Sequence, residues 1–455
     1  MRPLFVLTAA LVWALPAAAQ APAAQAPSPG PFRPGAVAAS SEGTVSPASV
    51  TLSLPDAIAR ARMYTQQVYS AEIAAKVAHE DSVQAKAALL PSLTEFNQFI
   101  YTQPNGTLTG IFVSNDGPHV YNNWAVVHAD LYAPAKRADY QRALANEAVA
   151  RARSEIATRG LIAVVVQNYY ALVVARRKMA NAEQSLREAS QFLDITQKLE
   201  QGGEAAHADV VKAQIQVEQR QRDLQDAQLA AEKARLAFGV LLFADYGQPF
   251  SVVDDLDKGP VLPPMTEIQV MAAKNSPDIR AAQATVEAET HEVASTRGAM
   301  LPSLSADYFY GMNANQFAIY DRQHLNNLGS VAQAQLTIPV WTWGAARSRV
   351  RQAQLRLQQA HNDLTLTQRQ LLANLNSFYL EADSAAMQVA SLRHSMELSA
   401  ESLRLTILRY EAGEAVALEV ADAQNTLAQA RNAYDDGLVR YRVAVASLQT
   451  LTGAF

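Results

Sequence analysis

A duplication at a spacing of about 210 residues constrains the fold of this chain more than any other sequence feature. The motif Leu-Pro-Ser-Leu at residues 90–93 returns at residues 301–304, an offset of 211 residues. Further along, Gly-Glu-Ala at residues 203–205 returns at residues 413–415, an offset of 210. Two distant motifs share nearly one offset, which predicts two copies of one structural unit rather than a chance similarity.

The first 50 residues predict an export signal followed by a tether. An apolar run over residues 4–15 and small residues before Gln20 are typical of a secretory signal peptide, expected at residues 1–19. The apolar run is shorter than the roughly 20 residues that a retained membrane helix needs. Residues 20–50 are rich in Pro and Ala and are expected to form a disordered linker.

Composition excludes several classes of protein. The chain has no cysteine, so disulfides, thiol nucleophiles, thiolate metal sites and a lipid-bearing cysteine are all ruled out. A net charge of −5 without basic clusters argues against a nucleic-acid partner. The motifs of serine hydrolases, P-loop proteins and zincins are missing, which predicts no enzymatic activity, no cofactor and no metal. Three aspartates at 254, 255 and 257 lack EF-hand spacing and are expected to lie in a solvated loop.

Alternating side chains predict membrane-type β-strands. Small apolar residues from Ala125 to Leu131 alternate with polar or aromatic ones, and residues 332–338 repeat the pattern. Such segments of about ten residues are typical of barrel strands, although a soluble hairpin with one buried face fits them equally. No later apolar segment is long enough for a membrane helix, so membrane attachment is expected through two hairpins, at residues 92–133 and 303–340. Four strands cannot close a barrel alone, which needs about eight, so several chains would have to share it.

Long helices with a seven-residue repeat complete each unit. Residues 135–200 and 345–412 contain no proline, and each stretch would reach roughly 100 Å as one helix. Apolar residues recur at multiples of seven positions, as at Val420, Leu427 and Leu448 in the last stretch. They alternate with layers of residues about the size of alanine. This repeat predicts left-handed coiled coils, and a plain coiled-coil scaffold is the alternative.

The predicted fold is mainly α-helical with a membrane β-barrel part, built from two helix–β-hairpin–helix–helix units. The first unit spans residues 51–242 and the second residues 265–455, with an irregular connector at residues 243–264 between them.

Together these motifs resemble the TolC-like outer-membrane efflux and secretion channels. The resemblance is carried by the duplicated halves, the helix-to-strand junctions at 88–93 and 300–304, the strand-to-helix junction at 336–344, and Arg-Tyr-Glu-Ala-Gly at 409–413. It implies a homotrimer whose three chains close a 12-stranded barrel in the outer membrane lipid. A helical tunnel would extend into the periplasm, with an equatorial belt near residues 243–264.

The resemblance also assigns a periplasmic gate at the far tips of the coiled coils. Glu419 and Asp422 fall at the positions of its acidic constriction, and Asp209 and Tyr410 match the pair that ties one coil to the next. Both acids flank Val420 and are expected to face water, although acids near a helix start also simply offset the helix dipole. Ala415 replaces an arginine of the family's gate network, which implies a looser or differently tethered closed state.

Two further pairs of residues receive roles from the resemblance. Gly203 and Gly413 mark the tips at which a periplasmic adaptor would dock. Trp341 and Trp343 would lie at the periplasmic edge of the membrane, where amphipathic rings are favoured. Ordinary packing at a strand-to-helix corner is the alternative for the tryptophans.

The function implied is a passive exit duct for small molecules such as drugs, metals or metabolites. It would work with an inner-membrane pump and a periplasmic adaptor. Two alternatives stay open: the outer-membrane channel of a type I protein secretion system, and a periplasmic coiled-coil structural protein.

Overall fold

The computed structural model describes residues 50–102, 119–245 and 247–453. The predicted signal peptide, nearly all of the predicted linker and most of the first hairpin's loop lie outside these ranges. The predicted division into units at residues 242, 264 and 265 stays a prediction, although each half of the chain has the same order of elements.

The two halves each contain two short helices, a β-hairpin and two long helices. In the first half these are α1 Leu54–Tyr64, α2 Gln66–Ala87, β2 Ser92–Tyr101, β3 His119–Tyr132, α3 Pro134–Gln201 and α4 His207–Leu242. In the second half they are α5 Met265–Asn275, α6 Pro277–Gly298, β5 Ser303–Ala314, β6 Leu328–Thr337, α7 Ala345–Glu411 and α8 Ala417–Thr452. Two short strands, β1 Val50–Leu52 and β4 Phe250–Val252, pair in parallel.

The predicted unit has a single helix before its hairpin, and this is wrong, because the structure has two helices there in each half. Thr65 has extended backbone angles (ψ 116°) and separates α1 from α2, and Ser276 (ψ 117°) separates α5 from α6 in the same way. The Thr65 hydroxyl donates to the Ala61 carbonyl at 2.7 Å, while the Ser276 hydroxyl caps α6 by accepting from the Ile279 amide. The second break has a readable signal, because Pro277 follows Ser276 and disfavours helical angles there.

The two long helices are continuous, as the sequence predicts. They have 68 and 67 residues, which corresponds to roughly 100 Å each. The seven-residue repeat points inward: Val420, Leu427 and Leu448 are at most 3% exposed. Small residues let the coils approach closely, since a Cβ at Gly437 would lie 2.6 Å from the Leu392 Cδ1 atom. The predicted coiled-coil packing is thus observed between α7 and α8.

The sequence predicts no later apolar segment long enough for a membrane helix, but in the described part of the chain α3 contains one by length and composition. Its apolar residues lie in the core instead. Val165, Tyr169 and Leu172 are at most 1% exposed and pack with Phe238 and Leu52. The hydrophobicity of α3 is therefore that of a buried helix, where α3 and α4 pack against the β1–β4 ribbon.

The four longer strands form one antiparallel sheet in the order β2–β3–β5–β6. The predicted alternation is confirmed by the register. Ala129, Ala306 and Ala334 lie side by side on one face of the sheet. On the other face, His128, Asp307 and Gln333 form a polar row. We call these the apolar face and the polar face.

Candidate functional site

The most unusual feature of the sheet is its two open edges. Among the described residues, β2 and β6 each pair with a neighbour on one side alone. All ten residues of β2 are exposed, and so are nine of the ten in β6. Long exposed edges carry unpaired amide and carbonyl groups, which soluble proteins cover and which lipid does not tolerate. The sheet therefore requires a partner at both edges.

The apolar face carries large side chains without cover from the same chain. Leu93 is 71% exposed, Leu131 61% and Leu336 60%. Tyr308 and Tyr310 extend the same surface. A continuous apolar patch of this kind marks contact with lipid or with another protein. Small polar groups interrupt it at Glu95, whose carboxylate accepts a hydrogen bond from the Asn123 amide at 3.3 Å.

Aromatic residues cluster at the loop end of the apolar face and again just after β6. At the end near the hairpin loops, the Phe99 and Tyr121 rings are 4.8 Å apart, and Phe317 lies 6.1 Å from Tyr121. At the end near the helices, Trp341 and Trp343 are 73% and 89% exposed, with ring centroids 5.8 Å apart. Two aromatic bands that flank an apolar one are typical of membrane barrels.

The polar face carries charged and amide side chains that suit contact with water. The His128 ring nitrogen Nδ1 and the Asp307 carboxylate are 2.6 Å apart, and the Gln333 amide donates to the same carboxylate at 3.2 Å. Lys136 at the start of α3 forms an ion pair with Asp130 on β3. The polar face thus continues into the first turn of a long helix, as the wall of a water-filled passage would.

The tips of both coiled coils end in the same glycine turn. Gly203 (φ 78°) and Gly413 (φ 76°) adopt left-handed backbone angles just after α3 and α7. In the second tip the Glu414 amide donates to the Arg409 carbonyl at 2.8 Å, which is the long bond of a Schellman motif. A Cβ at either glycine would meet no atom within 4 Å. Both predicted docking residues therefore lie on open turns.

Glu419 and Asp422 lie in the first turns of α8, directly after the second tip. Both are exposed, whereas Val420 between them is fully buried, as predicted. Glu419 is not free: its carboxylate pairs with Arg409 at 3.4 Å, and Arg409 also donates to the Glu414 carbonyl. Arg409 is thus a further residue of the site, which the sequence did not assign although it belongs to the motif at residues 409–413. The gate assignment of both acids stays a prediction.

Tyr410 lies in the last turn of α7 and Asp209 in the first turn of α4. The Tyr410 ring is 6% exposed and contacts Phe192, with centroids 5.0 Å apart. Burial, together with the charge of Asp209, raises the pKa of Tyr410. The buried Tyr410 hydroxyl makes no hydrogen bond within the described residues, and Asp209 pairs with Lys212 at 3.4 Å. The contacts of the described residues include no direct bond between Tyr410 and Asp209, so their role as a tie stays a prediction.

The three aspartates of the connector are held by arginines of the long helices. Arg177 on α3 donates to both Asp254 and Asp257, and Arg442 on α8 pairs with Asp255 at 2.7 Å. The hydrogen bond from Arg177 lowers the pKa of Asp257. The expectation of a solvated loop is thus too simple, because ion pairs fasten the connector to two helices.

Comparison with known proteins agrees with this architecture. Residues 269–454 match the family described as outer membrane efflux protein. The alkaline protease secretion protein AprF of Pseudomonas aeruginosa is 22% identical over 389 residues, covering 81% of this chain and 77% of AprF. The pyoverdine export outer membrane protein OpmQ of the same species is 23% identical over 417 residues, covering 88% and 84%. The solved outer membrane protein VceC from Vibrio cholerae superposes with a TM-score of 0.78 at 17% identity, over 88% of this chain and 96% of VceC.

The C-terminal part of the chain matches the outer membrane efflux protein family, and nearly the whole chain has the fold of a TolC-like outer-membrane channel. For a TolC-like protein, the duplicated unit, the four-stranded sheet and the two long coiled coils are the expected parts of one protomer.

Proposed function

We propose that this TolC-like protein is the passive outer-membrane exit duct of a tripartite export system. Three chains would share one 12-stranded barrel, and their coiled coils would line a tunnel through the periplasm. The open sheet carries this proposal, because a sheet with two unpaired edges and an exposed apolar face needs identical neighbours and lipid. Three copies of four strands supply both edges with partners.

The energy for transport would come from an inner-membrane pump, reached through a periplasmic adaptor. Nothing in the sequence motifs supplies a nucleotide site, so the duct itself would be passive. The adaptor is proposed to dock at the two glycine turns around Gly203 and Gly413, where the left-handed backbone is open to solvent on both tips.

Small molecules are the cargo that we propose first. OpmQ, which matches the larger share of this chain, is named for export of pyoverdine. Secretion of a protein is the second candidate, and it is favoured by a specific observation: AprF is named for alkaline protease secretion and matches across 389 residues. Both cargos use the same duct, so the fold does not separate them.

Fractionation with conductance measurement tests the proposal. The protein should remain in the outer membrane after washing with high salt, and the detergent-purified protein should give unitary current steps in planar bilayers. Release by salt into the soluble fraction, without conductance, would instead support a periplasmic coiled-coil protein. A strain with the gene deleted then distinguishes the two cargos. Retention of a dye reports export of small molecules, and the amount of protein secreted by the same cells reports protein secretion.

A further inference from the structure

Because the chain is internally duplicated, one contact within the chain should resemble the contact between two copies of it. Within one chain, β3 of the first hairpin pairs with β5 of the second. In a shared barrel, β6 of one copy would meet β2 of the next, and β6 and β2 are the duplicates of β3 and β5. The register observed inside the chain can therefore be transferred to the seam between chains.

The offset between the hairpins follows from their own registers. Ser92 and Ser303 each begin a strand and lie 211 residues apart, as do the Leu-Pro-Ser-Leu motifs before them. Ser92 faces His128 and Ser303 faces Thr337. Thr337 is therefore the duplicate of His128, with an offset of 209 residues for the second strand of each hairpin.

Applying both offsets to the β3–β5 pairs gives the seam. Val126 faces Phe309 within the chain, and their duplicates are Gln335 and Gln98. Ala125 faces Tyr310, and their duplicates are Ala334 and Phe99. We propose that β6 of one copy pairs antiparallel with β2 of the next copy in this register, with Gln335 opposite Gln98. The inference rests on the proposed trimer and adds the register to it.

The proposed register keeps both faces of the sheet continuous. Gln98 and Gln335 both belong to the polar face, because Gln98 faces Asn122 beside Trp124, and Gln335 follows Gln333 at a spacing of two. Phe99 and Ala334 both belong to the apolar face. A shift by one residue would turn the apolar side chains of β2 toward water. Shifts by two residues keep the faces, so these are the registers that an experiment has to separate.

The same template assigns a structure to an exposed segment after β6. Strand β3 continues for four residues beyond His128, and there Ala129 faces Ala306 of β5. The duplicate of Ala129 is Ile338, and the duplicate of Ala306 is Glu95. Residues 338–341 belong to no strand in the isolated chain, and Val340 is 87% exposed. In the assembled barrel Ile338 extends β6 along β2 of the neighbouring copy, and Pro339, which has no amide proton, ends the ladder.

Disulfide formation can read the register directly, because the chain has no cysteine of its own. Strands β2 and β6 are the two outer strands of a four-stranded sheet, so their residues are about 14 Å apart within one chain. A disulfide needs Cα atoms within about 7 Å, so any disulfide between the two strands has to join two chains. The double variant Gln98→Cys/Gln335→Cys tests the proposed register, and Phe99→Cys/Ala334→Cys tests the adjacent pair.

Matched controls place the second cysteine two residues away on the same polar face. These are Gln98→Cys with Gln333→Cys, and Gln98→Cys with Thr337→Cys. After mild oxidation in isolated outer membranes, at least one of the two proposed pairs should give covalent trimers on a non-reducing gel, with the slipped pairs roughly tenfold weaker. Glu95→Cys/Ile338→Cys should crosslink as well, which reports the extension of β6. Each single-cysteine variant should give no covalent trimer.

Each contrary result has a distinct meaning. Stronger crosslinking of a slipped pair overturns the register but leaves the trimer. A trimer by mass in which no pair crosslinks overturns the β6–β2 seam. If Glu95→Cys/Ile338→Cys alone fails, the extension of β6 is wrong. If the cysteine-free protein is a monomer by mass, both the seam and the proposed duct fail.

Discussion

At the scale of single residues, the tip acids are the groups whose chemistry bears most directly on transport. Three copies of Glu419 and Asp422 around one axis would place carboxylates close together and favour cations. Replacing them as Glu419→Gln with Asp422→Asn should therefore reduce cation preference, measured as the reversal potential across a bilayer with a salt gradient.

The control for the tip acids removes two charges elsewhere. Glu287→Gln with Asp278→Asn, both exposed on α6, should leave the reversal potential unchanged. If the tip variant behaves like this control, the two acids do not line the constriction.

Glycine 413 gives a second prediction at this scale. Its φ of 76° is strained for any residue with a Cβ, although the space around it is open. Gly413→Ala should therefore lower the free energy of unfolding by about 1 kcal/mol. Gly160 lies within α3 and also has open space, so Gly160→Ala should have the opposite sign. Denaturant titrations measure the free energy of unfolding of both variants. If both substitutions change it in the same direction, the left-handed backbone at Gly413 does not explain the effect of Gly413→Ala.

At the scale of elements, the connector is held by a charge cluster centred on Arg177. Asp435 is 8% exposed, and burial raises its pKa, while hydrogen bonds from Asn181 and Arg177 offset that rise. Arg177→Gln should lower the free energy of unfolding at pH 7 by about 3 kcal/mol, because it leaves a buried carboxylate without its cation. The exposed pair of Arg404 and Glu401 is the control, and Arg404→Gln should have no measurable effect.

The effect of Arg177→Gln should depend on pH with a definite sign. The pKa of Asp257 is lowered by Arg177, so its stabilisation is present above the pKa of the unfolded state and is lost as pH falls through the folded value. Asp435 is costly when ionised, and protonation relieves that cost as pH falls. The difference in the free energy of unfolding between Arg177→Gln and the parent protein should thus become smaller below about pH 4. If this difference stays constant from pH 7 to pH 3.5, the charge cluster is not its source.

The elements themselves were largely predictable from sequence. Proline and serine at residues 90–93 and 301–304 fix the helix-to-strand junctions, and the repeat in sevens fixes the inward face of α8. The break at Thr65 was not predictable, because threonine tolerates a helix and no proline follows it. The ion pairs of Arg177 were also hidden, since they join residues far apart in the chain. Arg409 could have been found, because it lies four residues before Gly413, in the last turn of a helix, where cations are favoured.

At the scale of the whole molecule, one observation organises the rest: a sheet that is incomplete in one chain. Its open edges, its apolar face and its two aromatic bands all describe a surface that other copies and lipid would cover. A sequence predicts the need for partners through strand number, but the edges become visible only once the strand order is known.

The mass of the outer-membrane-purified, detergent-extracted protein tests this account most directly, by light scattering or native mass spectrometry. Closure of the barrel depends on the number of chains. The account predicts a stable particle of three chains. A single chain recovered from the soluble fraction would contradict the shared barrel and leave a periplasmic coiled-coil protein.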